Sequence, residues 1–434
     1  MAAFRWLALI LLLAVSGEYA RAGQYDLSIP EAEKTPWELG GKLELRYAQH
    51  RLNDQSARYR LSYYNRDPGA YTEEWRPQLE LKGGYRLGAA QFHFVTHHEY
   101  SETVNGGEWV NKVYEGYVSL KPATGLTLEA GKKSYLWGKG YAWNPAGFVN
   151  RPKDPDDPEL NLEGYTALGL EYIKSLGGGA LNNLALTFLI LPVLGDWENT
   201  ELGTTGNLNY AAKLYLLWRD TDLDFIYFGG SDRSNSYGFD FSKNLAENFE
   251  VHGEVGLKLD QTRSVLDSQG GATLSREDQW SYLVGARWLN SVETTVIAEY
   301  YHNGAGYDSG QLDAFFAYQE RAYRNWLSSG NASYMERAER STRPYYRQRT
   351  FGRDYLYLKI SQKEPFGVLY FTPWLAVIVN LQDQSLNLQP GMTYTPLTNL
   401  ELNFRVGIPL GPAGSEFGEK QDLVRPEMWV RYFF

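Results

Sequence analysis

Between residues 321 and 353 the chain carries eight arginines: Arg321, Arg324, Arg337, Arg340, Arg343, Arg347, Arg349 and Arg353. No lysine stands among them and only Glu336 and Glu339 oppose them. Eight minus two gives a formal +6, in a protein whose net charge is -10. Guanidinium groups stay charged and grip carboxylate or phosphate through two parallel hydrogen bonds, so the chemistry expected here is anion recognition. A second segment, from Gly131 to Pro158, sets Lys133, Trp137 and Trp143 among Gly138, Gly140, Asn144 and four prolines. Proline and Asx residues restrict the backbone, so an ordered, non-repetitive loop is expected. Bond-making chemistry is poorly provided for. The six histidines are His50, His93, His97, His98, His252 and His302, and the neighbours His97 and His98 would point to opposite faces of a strand. No Gly-x-Ser-x-Gly elbow, phosphate-binding loop or HExxH motif occurs. A Ser–His or Asp–His pair at a rim is not singled out by spacing. Neither an enzyme nor a cofactor is expected.

The elements that must carry these loops read as strands. Phe249, Val251, Gly253, Val255, Leu257 and Leu259 alternate with Glu250, His252, Glu254, Gly256, Lys258 and Asp260. Leu400, Leu402, Phe404, Val406 and Ile408 alternate in the same way with Glu401, Asn403 and Arg405, and so do residues 38–46 and 280–288. A helix would place like residues three or four apart. Aromatic residues make up 15% of the chain, with 33 Tyr and 13 Trp, and mean hydropathy is -0.45. After the first residues no stretch approaches eighteen apolar residues, so helical membrane spans are not expected. The absence of cysteine leaves no disulfide framework. The acidic balance argues against nucleic-acid binding.

The two ends agree with this pattern. A short basic start with Arg5, the apolar run Trp6 to Val15 and the Ala20-Arg21-Ala22 site read as a signal peptide over residues 1–22. A periplasmic segment, 23–35, would follow it. At the other end Val424, Pro426, Met428, Val430, Tyr432 and Phe434 form an apolar series opposite Leu423, Arg425, Glu427, Trp429, Arg431 and Phe433. One greasy and one charged face suit a wall between lipid and water.

The expected fold is therefore all-β: a single transmembrane antiparallel up-and-down barrel over residues 36–434. About 18 strands are expected, with 16 possible if the weak strand at 235–241 is dropped. Closure follows from the solvent, since hydrocarbon offers no partner to a free N–H or C=O. Short turns are expected at 86–88, 122–125, 220–222, 289–291, 364–367 and 398–399, on the periplasmic side. Longer external loops are expected at 103–108, 136–163, 194–207, 261–278, 303–351 and 411–421. Sorting charges by parity puts Glu44, Glu254, Glu299 and Glu427 into the lumen with Lys42, Arg46, Arg76, Lys133, Arg287, Lys359, Arg405, Arg425 and Arg431. Acids and bases are similar in number, so the wall by itself sets no ion preference.

Two readings attach to the long loops. Loop 136–163 either folds inward as a constriction or caps the barrel outside. Loop 303–351 should contain an amphipathic helix within Asp313–Leu327. Its arginines could act as an anion funnel or gate, touch the phosphates of surface lipopolysaccharide, or simply be solvated. The pathway expected on these grounds comprises the eight arginines with Lys133, Arg287, Arg405, Trp137 and Trp143.

The signal peptide, the hairpin rhythm and the terminal Phe434 resemble those of Gram-negative outer-membrane porin-type barrels. That resemblance implies a channel in the outer membrane, with a homo-oligomer among the expected assemblies, surrounded by lipid and lipopolysaccharide, whose last strand is read by the barrel-assembly machinery. The Arg-rich loop, with Trp137, Gly138, Gly140, Asn144 and Pro145, is similar to alginate-export-type channels, which implies an acidic saccharide as solute. The alternative class is a scaffold barrel sheathing a periplasmic partner, such as an export complex or a cytochrome.

Overall fold

The computed structural model describes residues 35–434 except 161, 196 and 197. The expected leader, 1–22, and nearly all of the segment 23–35 lie outside the described residues. Eighteen strands form one sheet: β1 (Trp37–Leu52), β2 (Tyr71–Leu87), β3 (Ala90–Thr103), β4 (Gly106–Ala123), β5 (Leu126–Lys133), β6 (Tyr165–Ser175), β7 (Leu181–Pro192), β8 (Leu208–Trp218), β9 (Thr221–Gly230), β10 (Ser236–Ala246), β11 (Phe249–Leu266), β12 (Ala272–Leu289), β13 (Thr294–His302), β14 (Asp354–Gln362), β15 (Phe371–Asn380), β16 (Ser385–Leu397), β17 (Leu400–Leu410) and β18 (Asp422–Phe433). Each pairs antiparallel with its sequence neighbours, and β1 also pairs with β18, so the sheet closes. The seam is in register from Lys42 opposite Phe433 to Ala48 opposite Glu427. Phe434 completes it. Its N–H donates to the Gly41 carbonyl at 3.1 Å, and the Gly41 N–H donates to the Phe434 carbonyl at 2.8 Å.

The two parities see two environments. On β18 Met428 is 48% exposed while Glu427 is 1% exposed. On the other strands the outward series includes Leu43, Phe94, Leu128, Phe188, Phe225, Val284, Leu356 and Phe404, all exposed. The inward series includes Glu44, Asp224, Asp240, Glu254, Glu299 and Arg405, all buried. Charged side chains avoid the outer band because hydrocarbon solvates them poorly.

The expected weak strand exists as β10, in register with both β9 and β11, which makes the count 18 and not 16. The expected turns all fall at one end, with the chain termini. Two loop boundaries are corrected. Residues 103–108 shrink to the tight turn at 104–105. Residues 261–278 belong mostly to β11 and β12, which run on to Leu266 and from Ala272. The reason is a bulge. The register shifts between Lys258 and Gln261, and Asp260 takes φ 51, so the face of each later residue flips and the alternation read from sequence stops there.

Among the described residues three α-helices stand at the end of the barrel opposite the chain termini. α1 (Ala57–Tyr63) lies in the β1–β2 connection, a loop not among those expected from the sequence. α2 (Ser309–Ser329) and α3 (Ser333–Tyr346) fill the β13–β14 connection. α2 covers the expected amphipathic segment and is longer. It starts in a capping box between Asp308 and Gln311 and stops at Gly330, φ 68. Leu61 of α1 packs with Tyr318, Ala322, Met335 and Ala338 of α2 and α3. β13 and β1 are six places apart around the ring, so this packing bridges part of the mouth. Arg60 to Glu320 at 2.6 Å reinforces it.

Candidate functional site

The connection after β5 turns into the bore. Two apolar seats hold it there. Tyr135, Trp137, Ala146 and Val149 pack against Ala167, Leu189, Leu191, Ala211, Ile226 and Phe228, which are inward residues of β6 to β9. Ala142 and Trp143 pack against Leu283, Tyr301, Tyr355, Tyr357 and Ile378 on β12 to β15. Trp143 stacks on Tyr301 with ring centroids 5.0 Å apart. The polar contacts have the same direction. Lys139 Nζ lies 3.0 Å from Asp224 on β9. The Asp156 carboxylate accepts from Asn387 at 2.9 Å and from Gln389 at 2.7 Å. The inward reading of this loop therefore holds, and the external-cap reading does not.

What remains beside the loop is a cavity of about 640 Å³. On the wall side it is lined by Lys42, Arg46, Arg76, Lys359, Arg405 and Arg431, together with Glu44, Glu80, Glu99 and Glu401. On the loop side stand Tyr141, Asp156, Asp157 and Glu159. Six bases face seven acids, so net charge gives this cavity no strong sign. Its distribution is uneven, however. Arg46, Arg405 and Arg425 converge on the single carboxylate of Glu427, at 2.5, 3.1 and 2.5 Å. Three guanidiniums around one carboxylate leave a local excess of positive charge on β17, β18 and β1. The loop opposite is acidic. Burial raises the Asp157 carboxyl above its ordinary value, with Arg405, Arg46 and Arg431 opposing the rise. A second cavity of about 310 Å³ lies within residues 134–162 of the loop itself.

The expected pathway residues fall in different places. Arg405 lines the main cavity. Lys133 is held by Glu129 at 2.6 Å, beside the root of the loop. Arg287 stands exposed on the inward parity of β12, in register with Glu250. Trp137 and Trp143 are buried in the loop's two seats and line no part of the main cavity. The eight arginines lie on the outer cap and its flanks. Arg324, Arg337, Arg340, Arg343, Arg347 and Arg349 are exposed, and Arg321 and Arg353 are half-buried. Arg321 reaches Gln269, Arg343 pairs with Glu339 at 2.8 Å, and Arg353 stands 3.8 Å from Asp308. Arg349 meets Asp154 of the inward loop at 2.7 Å, and Trp143 Nε1 donates to Thr350 at 3.0 Å, so the cap and the loop touch. Parity placed Arg46, Arg76, Lys359 and Arg431 in the lumen, but only the fold brings them to one cavity.

No protein-family model and no curated protein matches this chain. Among solved structures it is similar to OccK5 (OpdH) of Pseudomonas aeruginosa, at 12% identity and a TM-score of 0.51, over 92% of this chain and 98% of that one. It is similar to OccK11 (OpdR) of the same organism at 12% identity and a TM-score of 0.51, over 91% and 95%. OccK2 (OpdF), also from that organism, gives 10% identity and a TM-score of 0.52, over 92% and 97%. The likeness is to porin-type β-barrels, and in this chain the barrel is closed by 18 antiparallel strands. At these identities the likeness is one of fold.

Proposed function

We propose that this chain forms a water-filled channel through the outer membrane of a Gram-negative bacterium, passing small hydrophilic solutes and favouring acidic ones, acidic saccharides included. One observation carries the reading: a closed barrel of this size keeps an ion-lined cavity beside an ordered inward loop. Barrels of about 16–18 strands are wide enough for an aqueous path. A guanidinium-rich wall facing an acidic loop supports solutes that carry both charge and hydroxyl groups. The exposed arginines over the mouth add a positive field that concentrates anions before they enter. That field reaches about 8 Å at physiological ionic strength. Their place on a cap bridging the mouth favours this role over sideways contact with lipopolysaccharide. The remaining volume suits a small solute and not an enclosed protein, which favours a channel over a scaffold barrel around a periplasmic partner. The reading is non-enzymatic. β18, ending on Phe434, is the segment we assign to recognition by the barrel-assembly machinery.

Planar-bilayer recording tests this. Steady ohmic current with an anion-biased reversal potential is expected. Replacing Arg343, Arg347 and Arg349 by Gln should move the reversal potential toward cations, and an unchanged ion preference removes the funnel. A folded barrel that is silent and co-purifies with a periplasmic protein overturns the channel.

A further inference from the structure

The described residues of the segment 134–164 form no strand or helix, so their backbone N–H groups have no ladder. A buried N–H needs a partner. Two wall carboxylates supply it. Glu254, on β11 and 4% exposed, accepts from the N–H of Lys139 and of Gly140, each at 2.5 Å, from the N–H of Ala146 at 3.2 Å, and from Asn144 Nδ2 at 2.8 Å. Glu299, on β13 and 1% exposed, accepts from the N–H of Tyr141 and, at 2.8 Å, from that of Ala142. His252 Nε2 lies 2.9 Å from the same carboxylate.

Four successive amides, 139 to 142, are thus divided between two acids. A carboxylate only accepts, and its two oxygens offer about four lone-pair sites. Burying one is costly unless donors surround it, and converging backbone amides provide such a nest. The opposite side of the same backbone is covered by a cation. Lys153 Nζ donates to the carbonyls of Gly140 at 2.7 Å and Tyr141 at 3.0 Å. Burial draws the Lys153 ammonium below its ordinary value, while Glu299 and Glu254 oppose the fall.

This contact also accounts for the Trp137-Gly138-x-Gly140 and Asn144-Pro145 spacing. A Cβ on Gly138, where φ is +98, would stand 2.7 and 2.8 Å from the Glu254 oxygens. On Gly140 it would stand 2.1 Å from the Trp143 carbonyl and 3.2 Å from Glu254 Oε1. Any side chain at these positions would push the loop off the acid. Pro145 lies against Gly256, whose added Cβ would meet the Pro145 carbonyl at 2.3 Å.

We infer that Glu254 and Glu299 are positioning residues that grip the inward loop by its backbone and so set the bore of the passage. The inference rests on the channel reading for its consequence, not for its geometry. The test uses the full-length protein in planar bilayers and in liposomes challenged with neutral sugars of increasing size. The Glu254→Ala, Glu299→Ala double variant should raise single-channel conductance by about twofold or more, with added current fluctuation, and should admit sugars the parent excludes, because an unheld loop no longer narrows the bore. Barrel integrity is checked by heat-modifiable gel migration. A folded double variant with parental conductance and size limit overturns the inference. If the double variant does not fold, Gly140→Val, which leaves both acids in place, must give the wider bore, and parental behaviour there overturns it equally. Trypsin added from outside separates this idea from the channel reading. Cleavage after Lys139 or Lys153 in the variants but not in the parent supports the grip even if no protein conducts, and equal resistance sinks it.

Discussion

Residues 134–164 and 303–353 both leave the outer rim and both far exceed a tight turn, yet only the second builds helices. The difference lies in how each satisfies its backbone. Loop 303–353 bonds to itself. α3 buries Met335, Ala338, Thr342 and Tyr345 on one face, at spacings of three and four, and leaves Arg337, Arg340, Arg343 and Arg347 on the other. Such a unit needs only an apolar neighbour, which α1, Leu266 and Phe351 provide. Loop 134–164 is broken by prolines and glycines and cannot bond to itself in that way. It borrows acceptors from the wall, and the wall keeps acids there for it. A self-sufficient loop ends outside the bore, while a dependent one is drawn into it.

Three changes would break or sharpen that contrast. Trp143→Ala removes the ring that fills the second seat and should cost the docked loop about 3–5 kcal/mol. Outside protease should then cut within 134–164 while gel migration still reports a folded barrel, and a loop that stays protected would show that the aromatic seat is not what holds it. Asp308→Ala removes the N-cap of α2 and should weaken the cap by about 1 kcal/mol. Hydrogen exchange should speed up in α2 and leave 134–164 unchanged, whereas equal acceleration in both would mean the two loops are one cooperative unit. The smallest effect concerns pH. The Asp157 carboxyl is raised by burial, so on acidification it takes up its proton before an ordinary aspartate would. The acidic side of the cavity then loses charge while the arginines keep theirs. The reversal potential should shift toward anions as pH falls, and Asp157→Asn should remove the first part of that shift.

The alternation of β1, β11, β17 and β18 was legible because one series on each strand is apolar and faces outward while the other carries the charges and faces the bore. It failed at Asp260, where one extra residue reverses the faces. The site was less legible. Glu254 and Glu299 look like any other inward acids in the sequence, since nothing local marks the amides they will receive. Trp137 and Trp143, aromatic residues in a glycine-rich segment, read in the sequence as pathway residues. They are packing groups, because an indole buries a large apolar area wherever a wall offers one.

The sequence by itself determined that this chain alternates between two solvents, that its strands must close, and that one external stretch is rich in guanidinium. These are properties of neighbouring residues, and period two carries them without reference to anything distant. Tertiary structure decided which loop enters the bore, which acids hold it and which arginines share a cavity. Those depend on strands far apart in the chain arriving at the same height on a closed ring, and that alignment is fixed by the register of each strand pair around the ring, which no local pattern encodes.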